Sequence, residues 1–268
     1  YKLFKMSVKP KKSLGQNFLL NKNIIKEIVE LGNISKDSIV IEIGPGTGNL
    51  TEEILKKNPK KVFAIEKDKN LYLSLQKKFN SNIEFINDDV LNIQWNKFCD
   101  KPCIIFGNLP YNISSKILIN WIRLDNLKKL FSKFILMFQK EVADRIVSNL
   151  DSSKYGRLTI LTNWKLDAKK IMDIECENFY PIPKVKSSLV YFKPKNNIFR
   201  FKNPKNLEKV TDIFFQNRRK MIKKPLNLLF KNSKDILNKL NIDEKSRPQN
   251  LSPSTYFKIS KLYEEEIS

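Results

Sequence analysis

Histidine is missing from all 268 residues. That removes imidazole acid-base chemistry, Ser-His-Asp and Cys-His triads, and most zinc sites, leaving only chemistry that needs none of them. Cysteine is nearly as scarce. Cys99, Cys103 and Cys176 are odd in number and form no Cys-x-x-Cys pair, so reduced thiols are expected rather than a disulfide framework, and no metal is expected. No apolar run approaches the roughly 18 residues of a membrane span, and the N-terminal stretch has no signal-peptide apolar core. The expected compartment is the cytoplasm. An organellar matrix is the alternative, because Lys2 to Lys12 forms a short basic arm without acidic residues.

Acidic residues are outnumbered, 28 against 50 Lys and Arg, for a formal charge of +22. Solubility needs far less, so the excess implies a polyanionic partner: nucleic acid first, an anionic membrane surface second. Basic residues concentrate at Lys9 to Lys12, Lys184 to Lys186 and Arg218 to Lys224. The length suffices for one large and one small domain, and a hydrophobic content of 41% is ordinary for a globular chain.

Between about Ile24 and Phe192, helical patterns alternate with short apolar runs, the signature of a doubly wound α/β domain. Strands are predicted at Ile39 to Ile43, Lys61 to Ile65, Ile83 to Ile86, Cys103 to Phe106, Lys133 to Phe138 and Ser188 to Phe192. Helices are predicted at Lys22 to Leu31, Leu50 to Lys56, Asn70 to Phe79, Ser115 to Ile122 and Lys140 to Ser148. Lys193 to Asn206, polar with two prolines, reads as a linker, and Leu207 to Leu262 shows only helical patterns. The expected division is therefore 1–195 for an α/β domain with a basic arm and 196–268 for a small helical domain. Pro225 is tolerated only in the first turn of a helix, so one helix is expected to end near Lys223 and another to start at Pro225.

Glycine is also sparse, yet three of the seven fall in one loop, Glu42-Ile43-Gly44-Pro45-Gly46-Thr47-Gly48, between a predicted strand and a helix. Glycine there lets the chain turn tightly and a ligand approach without a Cβ in the way. Glu66 ends the next strand, 22 residues beyond Gly44, where a carboxylate accepts from ribose hydroxyls. A nucleoside cofactor is implied. Asn49 stands where a dinucleotide fingerprint needs glycine, which disfavours NAD and FAD. Asp89, or its neighbour Asp88, follows the third strand and is placed to bind an adenine amino group. Asn108-Leu109-Pro110-Tyr111 follows the buried run Cys103 to Gly107, so a rigid turn aims an amide oxygen and an aromatic face at one flat ligand. That suits methylation of an adenine amino group, whose lone pair must be drawn out of ring conjugation by hydrogen-bond acceptors.

Together with Lys11-Lys12-Ser13-Leu14-Gly15-Gln16-Asn17-Phe18-Leu19, Gln139-Lys140-Glu141-Val142, Tyr155-Gly156-Arg157-Leu158, Phe179-Tyr180-Pro181-Ile182-Pro183-Lys184-Val185 and Gln216-Asn217-Arg218-Arg219-Lys220, these motifs resemble, in order, those of the KsgA-type rRNA adenine dimethyltransferases. The resemblance spans nearly the whole chain. It implies a Rossmann-like domain dependent on S-adenosylmethionine followed by an all-helical domain that binds rRNA. It implies cofactor contacts at Asn17, Leu19, Gly44, Gly46, Glu66, Asp89 and Asn108. It also assigns catalysis to Asn108, Leu109, Pro110 and Tyr111, with the target adenine sandwiched between Tyr111 and Phe179, and RNA binding to Lys184, Arg218, Arg219, Lys220 and Lys223. By the same resemblance the chain is a monomer acting on small-subunit rRNA in an assembling particle. Two rivals remain: a macrolide-resistance methyltransferase of large-subunit rRNA, and a nucleic-acid-binding factor that kept the fold without the reaction.

Overall fold

A seven-stranded sheet forms the centre of the larger of two compact units in the computed structural model, which describes residues 10–79, 82–98 and 101–267. Most of the expected basic arm (Lys2 to Lys9) and Cys99 lie outside the described residues. In chain order the strands are β1 (Phe18–Leu19), β2 (Ile39–Ile43), β3 (Lys61–Ile65), β4 (Ile83–Ile86), β5 (Cys103–Asn108), β6 (Phe131–Gln139), β7 (Leu166–Ile174), β8 (Phe179–Tyr180) and β9 (Ser187–Pro194). The sheet order is β4-β3-β2-β5-β6-β9-β7, with β4 to β6 parallel and β9 antiparallel to β6. β1 and β8 make a separate two-stranded ribbon. Every residue of β2 is buried, as expected for a parallel strand covered on both faces, and each buried Val or Ile there contributes about 1.5–3 kcal/mol.

The helices of this unit are α1 (Lys22–Glu30), α2 (Asn49–Leu55), α3 (Lys69–Lys78), α4 (Ser114–Arg123), α5 (Leu127–Leu130) and the start of α6 (Lys140–Ile146). Asn21 caps α1 by accepting from the Asn23 and Ile24 amides, and Ile25, Ile28 and Val29 form its buried face. All six predicted strands and five predicted helices of this part are present, shifted by at most two residues at their ends. The short β1, β8 and α5 and the longer α7 (Arg157–Lys165) and β7 went unpredicted. α7 is buried on most sides and so lacks a helical period, and β7 alternates charges with small and apolar residues.

The second unit holds α7, α8 (Lys205–Gln216), α9 (Lys223–Leu229), α10 (Ser233–Leu240) and α11 (Pro253–Glu266). α8 buries Leu207, Val210 and Phe214, and the Phe214 ring meets Tyr256 of α11 edge-on at 5.3 Å. The units are Tyr1–Ala143 with Lys169–Pro194, and Asp144–Ala168 with Lys195–Ser268. A unit boundary falls between Pro194 and Lys195, and 144–168, placed by sequence in the first domain, belongs to the second unit, where α7 lies against α8 and α11. The helix boundary around Pro225 also differs. α8 stops at Gln216 and α9 starts at Lys223, which puts Pro225 in the first turn, where its missing N–H has no intrahelical partner to lose.

Candidate active site

Sheet order reverses at β2: β3 and β4 lie on one side and β5 on the other. Loops leaving two neighbouring strands in opposite directions open a crevice at their carboxyl ends. Register aligns those ends, Ile86 beside Ile65, Ile65 beside Ile43, and Ile43 beside Gly107. The four segments singled out by sequence, after β4, β3, β2 and β5, therefore line one cleft.

Gly44, Gly46 and Gly48 all adopt positive φ, so each would be strained by a side chain. Their surroundings differ. A Cβ on Gly46 would strike the Phe18 ring at 2.7 Å, whereas one on Gly44 would meet only the Asn108 carbonyl, at 3.7 Å, and otherwise fill open cleft. Glu66 accepts from the Gly46 amide at 3.2 Å and the Asp68 amide at 2.8 Å, one on each carboxylate oxygen. Burial raises its pKa against the pull of those amides, and lone pairs remain on both oxygens for further donors. Asp89 and Asp88 both line the cleft. Asp89 is the more enclosed and accepts from the Leu91 amide and Lys67 Nζ; burial works to raise its pKa, but these partners hold it below the ordinary range. Asp88 is exposed and caps the Asp89 amide.

Asn108 closes the other side. Its Nδ2 donates to the Asn17 carbonyl at 2.6 Å, which fixes the amide orientation and leaves Oδ1 as an acceptor at the cleft. Leu109, Pro110 and Tyr111 line the same wall. The Tyr111 hydroxyl is 2.5 Å from Ser187 Oγ, and burial raises its pKa against that bond. The segment from Ser13 to Phe18 forms the remaining wall, pinned by Asp68, whose carboxylate takes Lys11 Nζ at 2.9 Å and Gln16 Nε2 at 3.0 Å.

Three expected site residues are placed away from the contacts expected of them. Leu19 packs in the hydrophobic core and does not line the cleft; Phe18 does, because neighbours in a strand point to opposite faces. Phe179, paired with Leu19 across the ribbon, is 2% exposed and belongs to the same core, so its ring presents no free face to a base. Arg218 donates to the Ser152 and Ser153 carbonyls and to Gln249, which makes it a tie within the second unit. Arg219, Lys220, Lys223 and Lys184 are exposed, Lys223 beside Glu244. Phe18, Gln16, Lys67 and Asp68 were missed; an Asp immediately before a helix, in capping position, was the available sign for Asp68.

The donor set fits S-adenosylmethionine: a glycine floor open where a Cβ would intrude, a buried carboxylate with spare lone pairs for ribose hydroxyls, and a second carboxylate for an amino group. Asn17, Gly44, Gly46, Glu66, Asp89 and Asn108 are all brought to this cleft.

Residues 7–265 match the family model described as ribosomal RNA adenine dimethylase. The chain is 52% identical over 260 residues to ribosomal RNA small subunit methyltransferase A of Pelagibacter ubique, covering 97% of this chain and 99% of that one. It is 41% identical to the protein of the same name from the Wolbachia of Brugia malayi, covering 92% and 95%. Among solved structures, a dimethyladenosine transferase from Plasmodium falciparum superposes with a TM-score of 0.80 at 29% identity, over 93% of this chain and 98% of that one. The 23S rRNA methyltransferase ErmE shares the fold, with a TM-score of 0.68 at 22% identity over 94% and 100%. The α/β core is thus a Rossmann-like methyltransferase fold, and the chain belongs to the ribosomal RNA adenine dimethylase family, enzymes that methylate rRNA adenine with S-adenosylmethionine.

Proposed function

We propose that this enzyme dimethylates N6 of two adjacent adenosines in the 3′-terminal hairpin loop of small-subunit rRNA, acting as a monomer on an assembling particle in the cytoplasm. The observation that carries the proposal is the Asn108 amide, whose nitrogen is committed to the Asn17 carbonyl so that its oxygen is held ready at the cleft. The names of the relatives at 52% and 41% identity favour the small subunit over the large one.

Bound in the cleft, the cofactor supplies an electrophilic methyl group on its sulfonium. The chain's own work is positioning. An adenine amino group entering beside Asn108 donates one hydrogen to Asn108 Oδ1 and the other to the Leu109 carbonyl. Two fixed acceptors pull the nitrogen towards tetrahedral geometry and localise its lone pair, which is stabilisation by preorganised dipoles. The proton leaves to solvent after transfer, so no histidine is required. Tyr111, tethered through its hydroxyl to Ser187, gives the adenine a ring to stack on. Such a base must be unpaired or flipped, as RNA loops allow. Exposed Lys184, Arg219, Lys220 and Lys223 supply phosphate contacts. Intact Asn108, Tyr111, Glu66 and loop glycines argue against a binder without activity, which has no need of all of them.

The test is transfer of radiolabelled methyl to undermodified small subunits, with nucleoside analysis and mapping. Dimethyladenosine in the 3′-terminal hairpin is the expected product. Tight binding without label would instead favour a binding factor, and label in large-subunit rRNA the other enzyme.

A further inference from the structure

Tyr180 is, among the described residues, the one aromatic side chain in the exposed class, at 45%. A single exposed aromatic is ordinary by itself, but its place in the fold and its neighbours give this one a direction. β8 pairs with β1 so that Tyr180 lies opposite Phe18 and Phe179 opposite Leu19. Directly opposed residues share a face of the ribbon. One face, Leu19 with Phe179, is sunk in the core; the other carries Phe18, which walls the cleft, and therefore carries Tyr180 on the cleft side. Tyr180 does not line the cleft itself, so it stands at the rim. Beyond it, Ile182 and Val185 are exposed at 69% and 45%, interleaved with exposed Lys184 and Lys186. Apolar and aromatic groups set among cations match the alternation of bases and phosphates in single-stranded RNA. They do not match a purely apolar protein partner.

We propose that Tyr180 is the stacking platform for the nucleobase next to the target adenine, holding the unpaired loop at the cleft mouth while the target enters. This rests on the function proposed above. Since the ring sits at the rim and not in the wall, its partner is the neighbour and not the target. The role is specificity for an unpaired strand.

Tyr180→Ala, Tyr180→Phe and Tyr180→Trp would be compared with wild type for equilibrium binding to the 3′-terminal hairpin RNA by fluorescence anisotropy, and for methyl transfer to undermodified subunits. Cofactor titration of each variant verifies that the cleft is intact. Loss of one exposed stacking contact is expected to weaken hairpin binding by about tenfold in the Ala variant, appearing in KM more than in kcat, with Phe and Trp restoring it. Hairpin affinity within twofold of wild type for Tyr180→Ala would overturn the proposal and leave the patch to a protein partner. A Phe variant as weak as Ala would also overturn it, since only the hydroxyl would then matter. Failure of the functional reading shows separately, as absent transfer by the wild-type enzyme, and the anisotropy comparison stands without it.

Discussion

Replacing Asp68 by Asn tests whether one buried carboxylate fastens the Lys11-to-Phe18 segment across the cofactor cleft. Asp68 accepts from Lys11 Nζ, Gln16 Nε2 and the Asn70 amide, at 2.9, 3.0 and 3.0 Å. Burial works to raise its pKa, but those three bonds prevail and hold it below the ordinary range, so it stays ionised. Asparagine keeps the volume and remains a good cap for α3, which isolates the effect of charge. The Gln16 bond then falls from a charge-assisted one, about 1.5–3 kcal/mol, to a neutral one of about 1 kcal/mol. Lys11 is half exposed, so its pair adds no more than about 1 kcal/mol. The segment loses about 0.5–3 kcal/mol of anchorage, and cofactor binding that requires it closed weakens about 2- to 150-fold. Calorimetric titration of the RNA-free protein with S-adenosylmethionine reads this directly, and Lys11→Met should cost less than Asp68→Asn. A dissociation constant within twofold of wild type, in a variant of unchanged melting temperature, would refute the reasoning.

Asn108→Ala removes both the proposed acceptor and the tie to Asn17; kcat should fall by about 10²- to 10³-fold while hairpin affinity, measured by anisotropy, holds within a few-fold. Arg219→Ala with Lys220→Ala should lower the slope of log affinity against log salt by nearly 2, whereas Arg218→Ala should lower melting temperature, because its guanidinium bridges the Ser152 and Ser153 carbonyls. Glu42, buried and bonded to Thr51 Oγ1 at 2.6 Å, has its pKa raised to about 7, chiefly by burial. The folded state therefore holds a proton that the unfolded chain releases near 4.5: the contribution is fully present below 4.5 and lost as pH rises through about 7. Denaturant titrations should show wild-type stability falling relative to Glu42→Gln by about 3 kcal/mol across that window, and parallel profiles would count against the assignment.

The sheet was legible because parallel strands buried on both faces are written as short, strongly apolar runs, Cys103 to Phe106 without interruption and Ile39 to Ile43 broken only by Glu42. The shared cleft followed from motifs placed at successive strand ends, whereas the strand order did not. What stayed hidden depended on long-range partners. α7 shows no helical period because α8 and α11 cover it from more than one side. Which of Phe18 and Leu19, or Phe179 and Tyr180, faces the cleft is a matter of ribbon register, and a two-residue strand carries no pattern to reveal it. Arg218 reads as one more cation of a basic run until the loop carbonyls it binds are in view.

The excursion of residues 144–168 into the second unit has a consequence for synthesis on the ribosome. β9, inserted between β6 and β7, emerges only after that excursion, so the nascent sheet carries an open edge at β6 for about fifty residues of translation. α7 in turn waits for α8 and α11, the latter ending at Glu266, before its apolar sides are covered. Neither unit completes independently of late-arriving chain, and a truncation near 195 would strand a buried helix in solvent. Slower translation is therefore expected to lengthen the interval in which that edge and that helix lie bare.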